Sequence, residues 1–136
     1  MSSEPPVLYT VANNIAHLVM NRPGAMNAMS GGMITELRQA LERAQSDPDV
    51  SIIVLTGAGN NFCAGDDLKE SEHQAAQDFL ALILDLQRIT RLLLLGGKPA
   101  SRQWMAMPWV GASSWLWPAI FVSPAHERAW DVWKRV

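Results

Sequence analysis

Residues 57–70 read Gly-Ala-Gly-Asn-Asn-Phe-Cys-Ala-Gly-Asp-Asp-Leu-Lys-Glu and follow the strand-like run Ser-Ile-Ile-Val-Leu-Thr. Small residues at 57, 58, 59, 64 and 65 let a backbone approach a ligand closely and present its N–H groups. A pair of such groups aimed at a carbonyl oxygen stabilises an enolate or a tetrahedral oxyanion, at about 3–4 kcal/mol per donor. Spacing alone favours a tight surface turn. Cys63 reads more readily as a small buried hydrophobe than as a nucleophile. Asp66 and Asp67 can be a carboxylate pair at a helix start.

The whole-chain properties narrow the classes. The chain of 136 residues is the size of one domain, and its net charge of −2 gives no reason to expect a nucleic-acid surface. The opening Met-Ser-Ser-Glu-Pro-Pro-Val lacks the basic and apolar regions of a signal peptide, so a cytoplasmic location is expected. The single cysteine excludes an internal disulfide and any multi-cysteine metal site. His17, His73 and His126 are too far apart to suggest a ligand set. His17 is expected on a sheet surface and the other two in solvent.

The elements that must carry the 57–70 loop follow from periodicity. Strands are expected over 7–11 and 15–20, joined at Ala12-Asn13-Asn14, with a loop from Asn21 to Ser30 broken by Pro23 and Gly24. Ser30 is a candidate N-cap for a helix through Gln45, whose Met33, Leu37, Ala40, Leu41 and Ala44 share one face. The β-branched run at 51–56 predicts a strand buried on both faces. A long helix is expected over 72–95, with Phe79, Ile83, Leu86, Ile89 and Leu93 on one side. Gly96-Gly97-Lys98 reads as its C-cap, and Pro99 as its stop. Strand, strand, helix, strand, glycine-rich loop, helix is an α/β order, in which ligands bind beyond the carboxyl ends of strands. The loop after Thr56 lies at such an end.

The segments IAHLVMNRPGAMNAMS, SIIVLTGAGNNFCAGDDLKE and GGKP, in this order over about residues 7–99, resemble the N-terminal half of the crotonase superfamily, the enoyl-CoA hydratases and isomerases. The resemblance implies an α/β fold, the N-terminal half of a spiral of ββα units. It also implies action on acyl-CoA thioesters in fatty acid metabolism, with no cofactor beyond the coenzyme A of the substrate. Asp66, where alanine is commoner in the family, would give one of two backbone N–H groups that hold the thioester oxygen. Ala64, Asp66, Asp67 and Leu68 would line the acyl-CoA site, and Gly24, Ala25 and Met26 would touch its nucleotide and pantetheine portion. Family members assemble as trimers or paired trimers.

Past Pro99 the resemblance stops, so residues 1–99 are expected to form a partial crotonase-like domain and 100–136 a divergent tail. All six tryptophans lie between Trp104 and Trp133. Tryptophan and methionine have single codons, which fixes part of a neighbouring reading frame. Triplets started at third bases force Asp across Trp104-Met105, Gly across Met105-Ala106, Ala across Met107-Pro108 and Gly across Trp109-Val110. The shifted frame therefore reads Asp-Gly-x-Ala-x-Gly and permits the family's second oxyanion segment. A single-base insertion or deletion near Pro99-Ala100 is inferred. In the shifted frame a glutamate can be encoded across Ser113 and Ser114, where the family carries its first catalytic carboxylate. The chain as written has serines there, and the family's second catalytic glutamate falls beyond it.

An enoyl-CoA hydratase or isomerase, that is a lyase or isomerase, is therefore expected to be catalytically incomplete as written. The alternative is a non-catalytic CoA-binding or subunit-interacting fragment. A membrane anchor over 103–125, which lacks Asp, Glu, Lys and Arg, is disfavoured because Pro108 and Pro118 interrupt it.

Overall fold

Two strands, β1 (Val7–Ala12) and β2 (Ile15–Met20), form an antiparallel hairpin with Ala12 opposite Ile15. Its turn residues Asn13 and Asn14 have φ of 52° and 64°, a left-handed pair that asparagine tolerates and that matches the twist of adjoining strands. This architecture comes from a computed structural model that describes residues 4–59, 61–72 and 75–102. On β2, Ala16, Leu18 and Met20 point into the core. His17 lies half-buried on the opposite face, as its alternation with those residues requires.

Helix α1 (Gly31–Ser46) begins where Ser30 accepts a hydrogen bond through its hydroxyl from the Met33 N–H at 3.2 Å. That satisfies one of the amides a helix start leaves open. It buries Met33, Ile34, Leu37, Leu41 and Ala44. Ile34 joins the stripe read from spacing, and Ala40 is only half-buried. Strand β3 (Ile52–Gly57) lies parallel to β2, with Leu18 opposite Leu55. Ile53 and Leu55 are buried, whereas Ile52 and Val54 are half-buried, so only one face of the strand is fully covered among the described residues.

One long helix was expected after the loop, and two form instead. A single turn, α2 (Leu68–Ser71), precedes α3 (Ala76–Leu95). The two long helices run side by side in the same direction. Arg38 on α1 meets Asp85 on α3, with Nε and Oδ1 at 2.8 Å but not aligned for a hydrogen bond. Further along, Glu42 meets Arg88 at 3.1 Å and Gln45 donates to the Leu92 carbonyl at 3.1 Å. In this register the first turns of α3 run past the start of α1. Ile89 and Leu93 are buried, but Phe79, Leu80 and Leu84 stay 53%, 59% and 56% exposed. Of the expected apolar stripe, Ile89 and Leu93 are buried, Ile83 and Leu86 half-buried and Phe79 exposed among the described residues.

The Gly96-Gly97-Lys98 terminus also works differently from a left-handed cap. Gly96 has φ −62° and ψ 147°, ordinary extended backbone. It is small because a Cβ there would overlap the Gln45 amide nitrogen and the Leu92 carbonyl. Gln45 closes the end through its side chain, donating to the Leu92 and Lys98 carbonyls and accepting from the Lys98 N–H at 3.1 Å. Lys98 in turn donates from Nζ to the carbonyls of Ala44, at 2.8 Å, and Asp47 at the end of α1, where a cation is favoured.

Strand β4 (Ala100–Arg102) then pairs parallel to β3, completing the sheet order β1-β2-β3-β4. Both parallel connections pass through a helix, as the mixed α/β reading requires. β4 begins just past Pro99, and its pairing with β3 needs no particular side chain. The tail beyond Arg102, with the shifted-frame segment, Ser113, Ser114 and the possible membrane span, lies outside the described residues, as do His73 and His126. Among the described residues, no helix is long and apolar enough to cross a membrane.

Candidate functional site

The loop leaving β3 is fastened to the loop leaving β2. Asn27 is the centre of the fastening. It is fully buried and left-handed, with φ 56°. Its Oδ1 accepts from the Arg22 N–H at 2.8 Å, and its Nδ2 donates to the carbonyls of Ala58 and Asn61 at 2.9 and 2.7 Å. A buried amide with all these partners can hold two loops together where an unpaired one would be costly. Gly57 is required by the same crowding, since a Cβ there would overlap the Asn61 and Phe62 carbonyls and Asn27 Nδ2.

Further along, the loops pair as short strands. The Ala64 N–H donates to the Met26 carbonyl at 3.0 Å, the Met29 N–H to the Gly65 carbonyl at 2.8 Å, and the Asp67 N–H to the Met29 carbonyl at 3.2 Å. Met29 and Asp66 thus form a parallel bridge. In such a bridge the flanking residues 65 and 67 turn their polar groups towards Met29, and the middle residue turns its own N–H and C=O away. Among the described residues, no acceptor faces the Asp66 N–H.

The two aspartates separate in role. Asp66 is exposed. Asp67 accepts at Oδ2 from Arg22 Nη2 at 3.0 Å, while Arg22 Nη1 donates to the Ala28 carbonyl at 2.8 Å. The Arg22 hydrogen bond, with help from the backbone N–H groups of Glu70 and Lys69 at the start of α2, holds the Asp67 carboxyl below the usual carboxylate range; partial burial opposes this. Glu70 accepts from the Gly31 N–H at 3.2 Å and is half-buried. Burial, reinforced by the nearby Asp66 charge, raises the Cys63 thiol, against a weak contribution from the Gly65 N–H at 3.4 Å. That is the opposite of an activated nucleophile.

Residues 24–26 and 64–67, read separately as candidate ligand contacts, are brought together here. Pro23–Ala25 form a 3-10 turn, Gly24 and Met26 are exposed, and Met26 bonds directly to Ala64. Leu68 opens α2. Arg22, Asn27 and Glu70 were missed as parts of this unit, and nothing in their spacing marks their long-range partners. Among the described residues, no group of three His, Cys, Asp or Glu could hold a metal ion.

A family profile described as enoyl-CoA hydratase/isomerase matches residues 10–92, more than half of the chain. The chain belongs to the enoyl-CoA hydratase/isomerase family. It is 42% identical over 67 residues to (E)-benzylidenesuccinyl-CoA hydratase of Thauera aromatica, a match covering 48% of this chain and 26% of that protein. It is 45% identical over 56 residues to the peroxisomal Delta(3,5)-Delta(2,4)-dienoyl-CoA isomerase of Arabidopsis thaliana, covering 41% and 20%. Its fold superposes on an enoyl-CoA hydratase of Mycobacterium smegmatis with a TM-score of 0.67 and 29% identity, covering 73% of this chain and 39% of that one. The chain therefore spans about a quarter of the length of these curated relatives.

Within this enoyl-CoA hydratase/isomerase fold, the fastened loops stand at the carboxyl ends of the parallel strands β2 and β3. The matched region includes both loops.

Proposed function

We propose that this chain provides the thioester-binding half of an enoyl-CoA hydratase or isomerase site. The Asp66 N–H would donate to the substrate carbonyl oxygen. One observation carries this reading: an outward-facing backbone amide, held between two hydrogen bonds to Met29, with no acceptor opposite it among the described residues. A donor fixed before the substrate arrives needs no reorganisation as negative charge grows on the oxygen. Ala64, Asp66, Asp67 and Leu68 would border the acyl end, with Asp67 acting through Arg22, and Gly24, Ala25 and Met26 would meet the pantetheine and nucleotide. Coenzyme A enters as part of the substrate, and no further cofactor is invoked.

Proton transfer at the α and β carbons of a 2-enoyl thioester requires carboxylates set for that transfer. Glu70 is engaged with the Gly31 N–H, and Asp67 with Arg22. This supports a binding half whose acid/base groups come from elsewhere. The test is calorimetric titration of the 136-residue chain with a short saturated acyl-CoA, coenzyme A alone as reference. Tighter binding of the thioester supports the reading, and equal binding removes it.

A second reading, a fragment that joins other subunits, is favoured by the exposed Phe79, Leu80 and Leu84 on α3. Sedimentation of the purified chain decides it: a strictly monomeric species at all concentrations would eliminate this reading.

A further inference from the structure

One guanidinium holds both sides of the Met29–Asp66 bridge. Arg22 Nη1 donates to the carbonyl of Ala28, the residue before Met29, and Nη2 to the carboxylate of Asp67, the residue after Asp66. The Arg22 backbone N–H is itself pinned by the buried Asn27. Arg22 is thus anchored at its root and forked across the two segments whose relative placement decides where the Asp66 amide points.

We propose that Arg22, through Asp67, is a positioning residue for the Asp66 N–H, an inference that rests on the thioester-binding reading above. The pair's side chains are 29% and 16% exposed, so its contribution to stability is partly screened by solvent. Its consequence is geometric. With Arg22 removed, the fork that ties Ala28 to Asp67 across the bridge is lost, and the peptide that carries the Asp66 N–H gains freedom to rotate. Arg22 also neutralises Asp67. Without that cation the Asp67 carboxylate, one residue from the donor, would repel more strongly the charge developing on a bound carbonyl oxygen.

The test separates the carbonyl contact from every other contact with coenzyme A. Butanoyl-CoA and its thioether S-butyl-CoA differ at the carbonyl, so the ratio of their affinities reports the donor. For the wild-type chain a preference of about tenfold for the thioester is expected, the worth of one well-aligned hydrogen bond. In Arg22→Ala, Asp67→Ala and the double variant the preference falls to about twofold, and the double variant is no worse than either single one, because the pair acts as a unit. In each variant thioether affinity falls less than thioester affinity, so that the ratio itself drops. Circular dichroism checks that each variant folds. Should either alanine variant unfold, Arg22→Lys replaces it, keeping the charge but not the fork, with the same loss expected.

A full preference in a folded Asp67→Ala variant overturns the proposal. So does an equal loss for both ligands, which would make Arg22 a contact for the anionic coenzyme. A wild-type chain that binds thioester and thioether equally overturns the thioester-binding reading itself, and this inference with it.

Discussion

The N–H of Ala64 donates to the carbonyl of Met26 at 3.0 Å, so residues 38 positions apart in the chain are joined at the carboxyl end of the sheet. The loop expected to meet the nucleotide and the loop expected to meet the acyl group are one hydrogen-bonded unit. Changes in one should be felt in the other.

Asn27 tests how much of that unit depends on a single buried amide. Asn27→Ala strands the Ala58 and Asn61 carbonyls and the Arg22 N–H. A loss of about 2–3 kcal/mol is expected, the scale for buried groups left without partners. Urea unfolding measures it, and a loss below about 0.5 kcal/mol would show that water replaces the side chain freely.

Two glycines form a matched pair. Gly57→Ala drives a methyl into the Asn61 and Phe62 carbonyls, whereas a Cβ on Gly24 meets nothing within 4 Å. Gly57→Ala should destabilise by about 1–3 kcal/mol and Gly24→Ala by less than about 0.5 kcal/mol. Thermal melts of the two variants side by side check the contrast. Equal melting temperatures would mean the loop is not packed as described.

The Asp67 carboxyl gives a pH dependence with a definite sign. Its pKa is lowered in the folded chain, chiefly by Arg22. Its stabilising contribution is therefore present above the ordinary aspartate value of about 3.9 and lost as pH falls from there through the lower folded value. Asp67→Asn should be less stable than wild type at about pH 6, and the difference should shrink below about pH 4. Urea unfolding of both chains across that range isolates this group from the other carboxylates. A difference independent of pH would contradict the assignment.

The tail has its own test. Resequencing the gene around the codons for Pro99 and Ala100 is expected to reveal one extra or missing base and an open frame reading Asp-Gly-x-Ala-x-Gly. Confirmation of the present frame would place the base change in the gene itself and leave a fragment.

Regular elements were legible because their signals are local. The alternation of Ala16, Leu18 and Met20, the stripe of Met33, Leu37 and Leu41, and the tolerance of Asn13 and Asn14 for a left-handed turn need no knowledge of distant contacts. The reach of α3 was not legible. Spacing shows that Phe79 and Ile89 share a side but not that α1 begins too late to cover Phe79. Gly96 caps α3 as its place in the sequence suggests, but its smallness answers to Gln45, 51 positions earlier, and not to its own φ. In the loops, the sequence marked Asp66 and Asp67 as a pair, while the difference between them is set by Arg22, 45 positions from Asp67.

The central claim is that the Asp66 main-chain amide grips the thioester oxygen. Nitrogen–proton correlation spectra of the labelled full chain address it residue by residue. On addition of butanoyl-CoA the Asp66 amide proton should move downfield, with no such shift on addition of S-butyl-CoA. An Asp66 signal that stays in place while the thioester is demonstrably bound would contradict the account.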